Sequence, residues 1–350
     1  MSSADAFAAQ LAAALDLHNR RETLTRDGSV ADEGFTATLL SAVLGSLATP
    51  SALATNVRLL SGEQEIPRDR WARSRTSHGQ VIHTELAAPF IDAAIGEGAL
   101  LVIDSADECD MTLMRLREAL EHRLAARVWI NAYLTATADS SFGPHVDDMD
   151  TVIVQLLGCK RWTVAPRPGD ESMPPDAVTL DLAPGGVLAV PAGTLHDVLG
   201  LGELSLHLTI GYDQEAGLVH RMRSIDALLG RASTQPSERE LRIAKAMLPE
   251  RRVGTSLPFR ATRDPQHCRH ARWASQLPPV IEFADSGSLE VVTLGRRLSF
   301  DHLAAPVVEA LATGRELGFG ELVDCSSFDR DELVSFLHAG VEAGWVIVRP

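Results

Sequence analysis

Cysteine is scarce in this 350-residue chain: Cys109, Cys159, Cys268 and Cys325 lie far apart and form no CxxC pair. That excludes a disulfide scaffold and a zinc-ribbon framework, and suits a reducing cytoplasm. No apolar run approaches the roughly 18 residues of a membrane span. The N-terminal stretch has no basic start and carries Asp5, so it does not read as a secretory signal. No phosphate-loop glycine pattern and no strand–helix alternation is present, which disfavours a dinucleotide or nucleoside triphosphate enzyme. Positive charge is also short. The chain has 32 Lys and Arg against 47 Asp and Glu, a net −15, which argues against direct nucleic-acid binding or attachment to an anionic membrane.

What is there suffices for two or three cored domains: 45% of the residues are hydrophobic. Charge is unevenly spread. Residues 220–272 hold 12 Lys and Arg against 5 Asp and Glu, a local +7, whereas 281–350 hold 5 against 12, a local −7. Three charge regimes suggest three units, 1–215, 216–277 and 278–350. Residues 1–20 read as an amphipathic helix through Phe7, Leu11 and Leu15, and a second stripe runs from Phe35 through Leu39 and Val43 to Leu47; both read as core helices.

From residue 99 the pattern turns to short, dense apolar runs at 99–103, 127–136, 151–157, 160–164, 177–182, 187–190 and 203–212, with a helix near 112–126. Gly, Pro and Asp clusters separate them, which predicts an antiparallel sandwich or barrel. Residues 216–276 read as helical and basic, with an apolar stripe over 218–229. The tail reads as strand (291–300), helix (303–312), helix (331–343) and strand (345–348), a winged-helix-like order.

The sharpest local feature is Gly143-Pro144-His145-Val146-Asp147. On a strand, His145 and Asp147 project from one face and could serve one cation. Such a pair is also common on surface strands, and His83-Thr84-Glu85 is another; His83, before a short helix at 87–94, reads as structural. His196 follows in Pro191-Ala-Gly-Thr-Leu-His196, between two predicted strands. Two His and one carboxylate form the facial triad that holds Fe(II) and leaves positions open for cosubstrate and O₂. An oxygenase using 2-oxoglutarate also needs a cation for the far carboxylate. Lys160, opening a returning strand after a Gly158-Cys159 turn, is placed for this, unless it snorkels to solvent. Cys268, between His267 and His270, reads as part of a surface helix turn.

Three stretches carry a resemblance: Asn131-Ala-Tyr133-Leu-Thr135, Phe142-Gly-Pro-His145-Val-Asp147 and Gln155-Leu-Leu-Gly158-Cys-Lys160-Arg-Trp162. With the 184–196 and 205–209 segments they resemble the JmjC-type cupin oxygenases, and within these the ribosomal oxygenase group. The resemblance covers residues 55–215 and implies a mainly β fold with α: a double-stranded β-helix (jelly-roll or cupin) core, a helical dimerisation region and a winged-helix-like C-terminal domain. It implies Fe(II) on His145, Asp147 and His196. It also implies 2-oxoglutarate contacts at Lys160 and Asn131, with Tyr133 lining the pocket. Asn131 has a competing structural reading, bonding backbone. Thr209 could reach the cosubstrate, and His207 on the same strand face reads as a core histidine. The implied enzyme is a cytoplasmic, homodimeric 2-oxoglutarate-dependent dioxygenase acting on a protein or peptide side chain, such as one of a ribosomal protein. The same chemistry on a small molecule or peptide natural product is the alternative, and a non-catalytic cupin binding module a third. Residues 136–141 depart from the family's pattern at the pocket mouth, which leaves the substrate open. Asp148 reads as a solvated charge or a contact for a cationic substrate.

Overall fold

The computed structural model describes residues 6–9, 24–26, 33–48, 56–124 except 63, 126–138, 142–213, 219, 236–247, and 269–349 except 276, 285, 286 and 294. The chain divides into two compact units, 1–124 with 128–234, and 235–350 with 125–127. No helix among the described residues is long and apolar enough to cross a membrane.

After helical residues 6–9, the first unit continues with β1 (Leu24–Arg26), α1 (Glu33–Ala48), β2 (Val57–Ser61) and β3 (Gln64–Glu65). A short α2 (Arg68–Trp71), the hairpin β4 (Ala72–Ser77) and β5 (Gln80–Leu86), α3 (Ala88–Gly96) and β6 (Leu100–Ile103) follow. Then come α4 (Met111–Leu124), β7 (Val128–Thr135), β8 (Asp150–Leu157) and β9 (Lys160–Val164). The last strands are β10 (Val178–Leu182), β11 (Val187–Val190), β12 (His196–Gly200) and β13 (Ser205–Tyr212). Eight strands make one antiparallel sheet in the order β1-β11-β8-β13-β7-β6-β2-β3, and β10-β9-β12 make a second. This is the expected mainly β core of two sheets.

β8 shows why these strands read as unbroken apolar runs. Val152, Val154 and Leu156 enter the large core shared with α1 and α4, whereas Ile153 points the other way and packs with Trp162, Val164 and Leu182 of the small sheet. A strand covered on both faces has no polar side to show. α4 is capped by Asp110, whose Oδ1 accepts the N–H groups of Thr112 (2.6 Å) and Leu113 (3.2 Å). A buried ion network ties it to β7. Arg117 pairs with Asp107 (3.2 Å) and Glu121 (3.0 Å), and those carboxylates accept the Ile130 and Val128 N–H groups.

Three expectations need correction here. Gly158-Cys159 does not close a hairpin, because β8 and β9 belong to different sheets; the turn carries the chain across the core. Gly158 takes φ +58°, and a Cβ there would collide with the Leu204 carbonyl. His196 opens β12 instead of lying between strands. His145 stands in an isolated bridge, not on a regular strand. Of the 1–20 helix, residues 6–9 are described: they are helical, and the Phe7 ring packs 4.9 Å from Phe35.

The second unit contains α5 (Glu238–Ala246), β14 (His270–Trp273), β15 (Val280–Phe283), β16 (Leu289–Thr293) and β17 (Arg296–Phe300). α6 (Ala305–Ala312), β18 (Leu317–Gly318), α7 (Phe319–Cys325), α8 (Arg330–Ala343) and β19 (Val346–Arg349) complete it. β15-β16-β17 form a meander and β18-β14-β19 a second small sheet. The expected strand 291–300 is two strands. The expected helical reading also fails at 270–273, where Ala271 and Trp273 alternate inward on β14 and join the core with Trp345 and Leu311. His270 is therefore an exposed strand residue. His267, Cys268 and all of the 218–229 stripe except Val219 lie outside the described residues.

Candidate metal centre

His145 and His196 are held together by backbone before any ligand is considered. His145 N–H donates to the His196 carbonyl and His196 N–H to the His145 carbonyl, each at 2.9 Å. Each imidazole also has Nδ1 against the carbonyl two residues back: His145 on Gly143 (2.8 Å) and His196 on Thr194 (3.0 Å). Nδ1–H donates in both rings, which leaves both Nε2 lone pairs available. Burial, reinforced by His145, lowers the His196 pKa and keeps that ring neutral. Asp147 is anchored through its carbonyl, which accepts Gly193 N–H at 2.8 Å, and its Oδ2 lies 3.8 Å from His196 Nε2. Two atoms each about 2.1 Å from one ion can stand up to about 4.2 Å apart, so this pair fits a shared cation. Ligand atoms of all three residues lie within 4.8 Å of one another, and no other such trio converges among the described residues.

The triad opens onto a pocket between the two sheets, lined also by Lys160, Tyr133, Trp162, His207 and Thr209. Lys160 and Trp162 share one face of β9, and His207 and Thr209 one face of β13. Lys160 is 1% exposed. Its Nζ donates to the Tyr133 carbonyl (3.1 Å) and to His207 Nδ1 (2.9 Å), and no carboxylate partners it among the described residues. Burial pulls its pKa from 10.5 down to about 7. The buried Tyr133 phenol is pushed up to about 12 and stays protonated. A cation kept in such a place without an acid of its own suits an anionic ligand.

Residues 108–218 match the JmjC domain family. That segment contains His145, Asp147, Lys160 and His196. Over 111 residues it is 36% identical to ribosomal oxygenase 2 of Rattus norvegicus, covering 28% of this chain and 24% of that one. It is 28% identical over 129 residues to the bifunctional lysine-specific demethylase and histidyl-hydroxylase NO66 of Dictyostelium discoideum, covering 33% and 25%. The chain thus spans about a quarter of the length of these curated relatives. Among solved structures, YcfD, a ribosomal oxygenase from Escherichia coli, shares the fold with a TM-score of 0.52 and 14% identity over 96% of this chain and 98% of that one.

Within the matched segment, His145, Asp147, His196, Lys160, Tyr133 and Thr209 meet in one pocket. Asn131 does not line it. Its Oδ1 accepts Ser105 N–H at 2.9 Å, and its side chain also hydrogen-bonds Tyr133. That is the structural role weighed from sequence, acting on the pocket through Tyr133. Asp148 is exposed, and the His83 side chain lies outside the described residues. Sequence reasoning missed two residues. Trp162 is buried, stacks on His196 (5.9 Å, 21°), and its indole N–H has no acceptor among the described residues. His207, read as a core histidine, is the partner of Lys160. The signal for Trp162 was present: it stands two positions beyond Lys160 on one strand face.

Proposed function

We propose that this protein is an Fe(II)- and 2-oxoglutarate-dependent oxygenase that hydroxylates a side chain of a protein, a basic ribosomal protein being the substrate class its charge favours. One observation carries the reading: an open His145–Asp147–His196 triad, with both Nδ1 atoms already committed to backbone, shares its pocket with a buried lysine that has no carboxylate partner among the described residues. Iron would supply O₂ activation coupled to conversion of 2-oxoglutarate to succinate and CO₂. The chain's part is to bind and orient. His145, Asp147 and His196 would hold the ion, Lys160 would pair with the far carboxylate of 2-oxoglutarate, and Tyr133 and Thr209 would border that cosubstrate. The apolar Leu100, Phe142 and Val198 line the same space and would limit water there.

The protein substrate follows from charge and from the named relatives. Residues 1–219 carry 30 Asp and Glu against 15 Lys and Arg, an acidic catalytic unit suited to a cationic partner. The same reading includes a cytoplasmic location and a homodimer. Mass spectrometry of ribosomal proteins from cells with and without the gene tests it. The expected result is one peptide that is an oxygen atom heavier only when the gene is present. Identical ribosomal protein masses in both strains would remove this substrate class and favour a small molecule or peptide natural product.

A further inference from the structure

His207 sits on β13 with Tyr133 of β7 and Gln155 of β8 as its cross-strand neighbours. Its ring is buried, lies parallel to the Tyr133 ring (5.0 Å, 11°) and meets Trp162 edge-on (5.4 Å, 73°). These contacts fix the plane of the imidazole and hence the direction of Nδ1, 2.9 Å from Lys160 Nζ. An ammonium can only donate, so Nδ1 is the acceptor and the neutral ring carries its hydrogen on Nε2. Burial first, and the Lys160 charge second, keep this imidazole unprotonated. Lys160 gives a second N–H to the Tyr133 carbonyl at 3.1 Å. Of the three ammonium N–H groups, one is left for a ligand.

We propose that His207 is a positioning residue for the anion-binding lysine: its Nδ1 holds the Lys160 ammonium charged and fixed, so that the remaining N–H meets the far carboxylate of 2-oxoglutarate. The inference rests on the proposed function, which assigns Lys160 to that carboxylate. Without the Nδ1 acceptor, Lys160 keeps a single carbonyl. Burial then favours the neutral amine, and the four-carbon side chain loses one of its two tethers. The triad belongs to other segments, the loop around His145 and β12, so the loss falls on cosubstrate binding and leaves the metal ligands in place.

The test compares wild type, His207→Leu, which removes the acceptor, and His207→Asn, whose amide oxygen can stand near the Nδ1 position. Calorimetric titration of the Mn(II)-loaded proteins with 2-oxoglutarate is expected to show binding weakened at least about tenfold in His207→Leu and within about threefold of wild type in His207→Asn. With Fe(II), the KM for 2-oxoglutarate should rise by the same factor while kcat stays within about twofold. Equal affinity in wild type and His207→Leu would overturn the inference and leave the proposed function standing. Failure of wild type to bind 2-oxoglutarate would overturn the proposed function and the inference with it. Nitrogen-15 imidazole shifts of wild type give a readout that needs no variant. A bare Nδ1 with hydrogen on Nε2 is expected, and an Nδ1–H tautomer or an imidazolium would contradict the inference.

Discussion

His145 and His196 exchange backbone hydrogen bonds in both directions at 2.9 Å, and their ring centroids stand 4.3 Å apart. Two residues distant in sequence are thereby registered on each other by main chain, and the side chains inherit that register. The site is pre-organised: the imidazoles need no rearrangement to present two Nε2 atoms to one ion.

Because the backbone sets the pair, removing one ligand should cost metal and spare the fold. Asp147→Ala is expected to weaken Mn(II) binding by about 100-fold or more, judged by calorimetry, with a thermal midpoint within a few degrees of wild type. A collapse of the midpoint would show that Asp147 is structural.

Lys160 sets a pH dependence whose sign follows from its burial. Its pKa is pulled down to about 7, and the ammonium is the form that pairs with a carboxylate. Affinity of the Mn(II)-loaded protein for 2-oxoglutarate is expected to be level below about pH 7 and to fall by up to about tenfold per unit above it. Lys160→Met should bind weakly throughout and lose that fall. Stability moves the other way: the unfolded chain binds the extra proton between about 7 and 10.5, so wild type should gain stability relative to Lys160→Met as pH rises through that window. Paired urea titrations at the two ends of the range check it.

The Arg117 network joins α4 to β7 in the interior. Arg117→Met strands Asp107 and Glu121 without their cation and is expected to cost about 3–5 kcal/mol. Denaturant unfolding measures this directly, and a change below about 1 kcal/mol would show that the pair is dispensable.

Gly158 is required both for its left-handed φ and for its contact with the Leu204 carbonyl. Gly158→Ala is expected to lower stability by about 2–5 kcal/mol and, two residues from Lys160, to weaken 2-oxoglutarate binding as well.

The most continuous strand signals in the sequence come from strands with both faces covered. β8 and β11 appear as apolar runs within a residue of their observed bounds, because burial on two sides leaves a continuous signal; β9 buries one face and exposes Arg161 on the other. β12 did not appear, since His196-Asp-Val-Leu-Gly200 has half-buried and exposed positions and no such run. Two apolar runs around Gly158-Cys159 carry the same local signal whether the chain turns back or crosses between sheets; here the choice is tertiary, made by the Gly158–Leu204 approach. The triad was readable as residue types at spacing. His207 was not, because a lone histidine in an apolar strand looks like packing until the register brings Lys160 to it.

The His145–Asp147–His196 triad is expected to drive 2-oxoglutarate-dependent oxidation. Succinate should be measured after incubating the purified protein with Fe(II), 2-oxoglutarate, O₂ and ribosomal proteins from cells lacking the gene, beside His145→Ala and Asp147→Ala. Succinate that accumulates with wild type and is absent from both folded variants is the predicted result. No succinate from wild type, or equal succinate from all three, would contradict it.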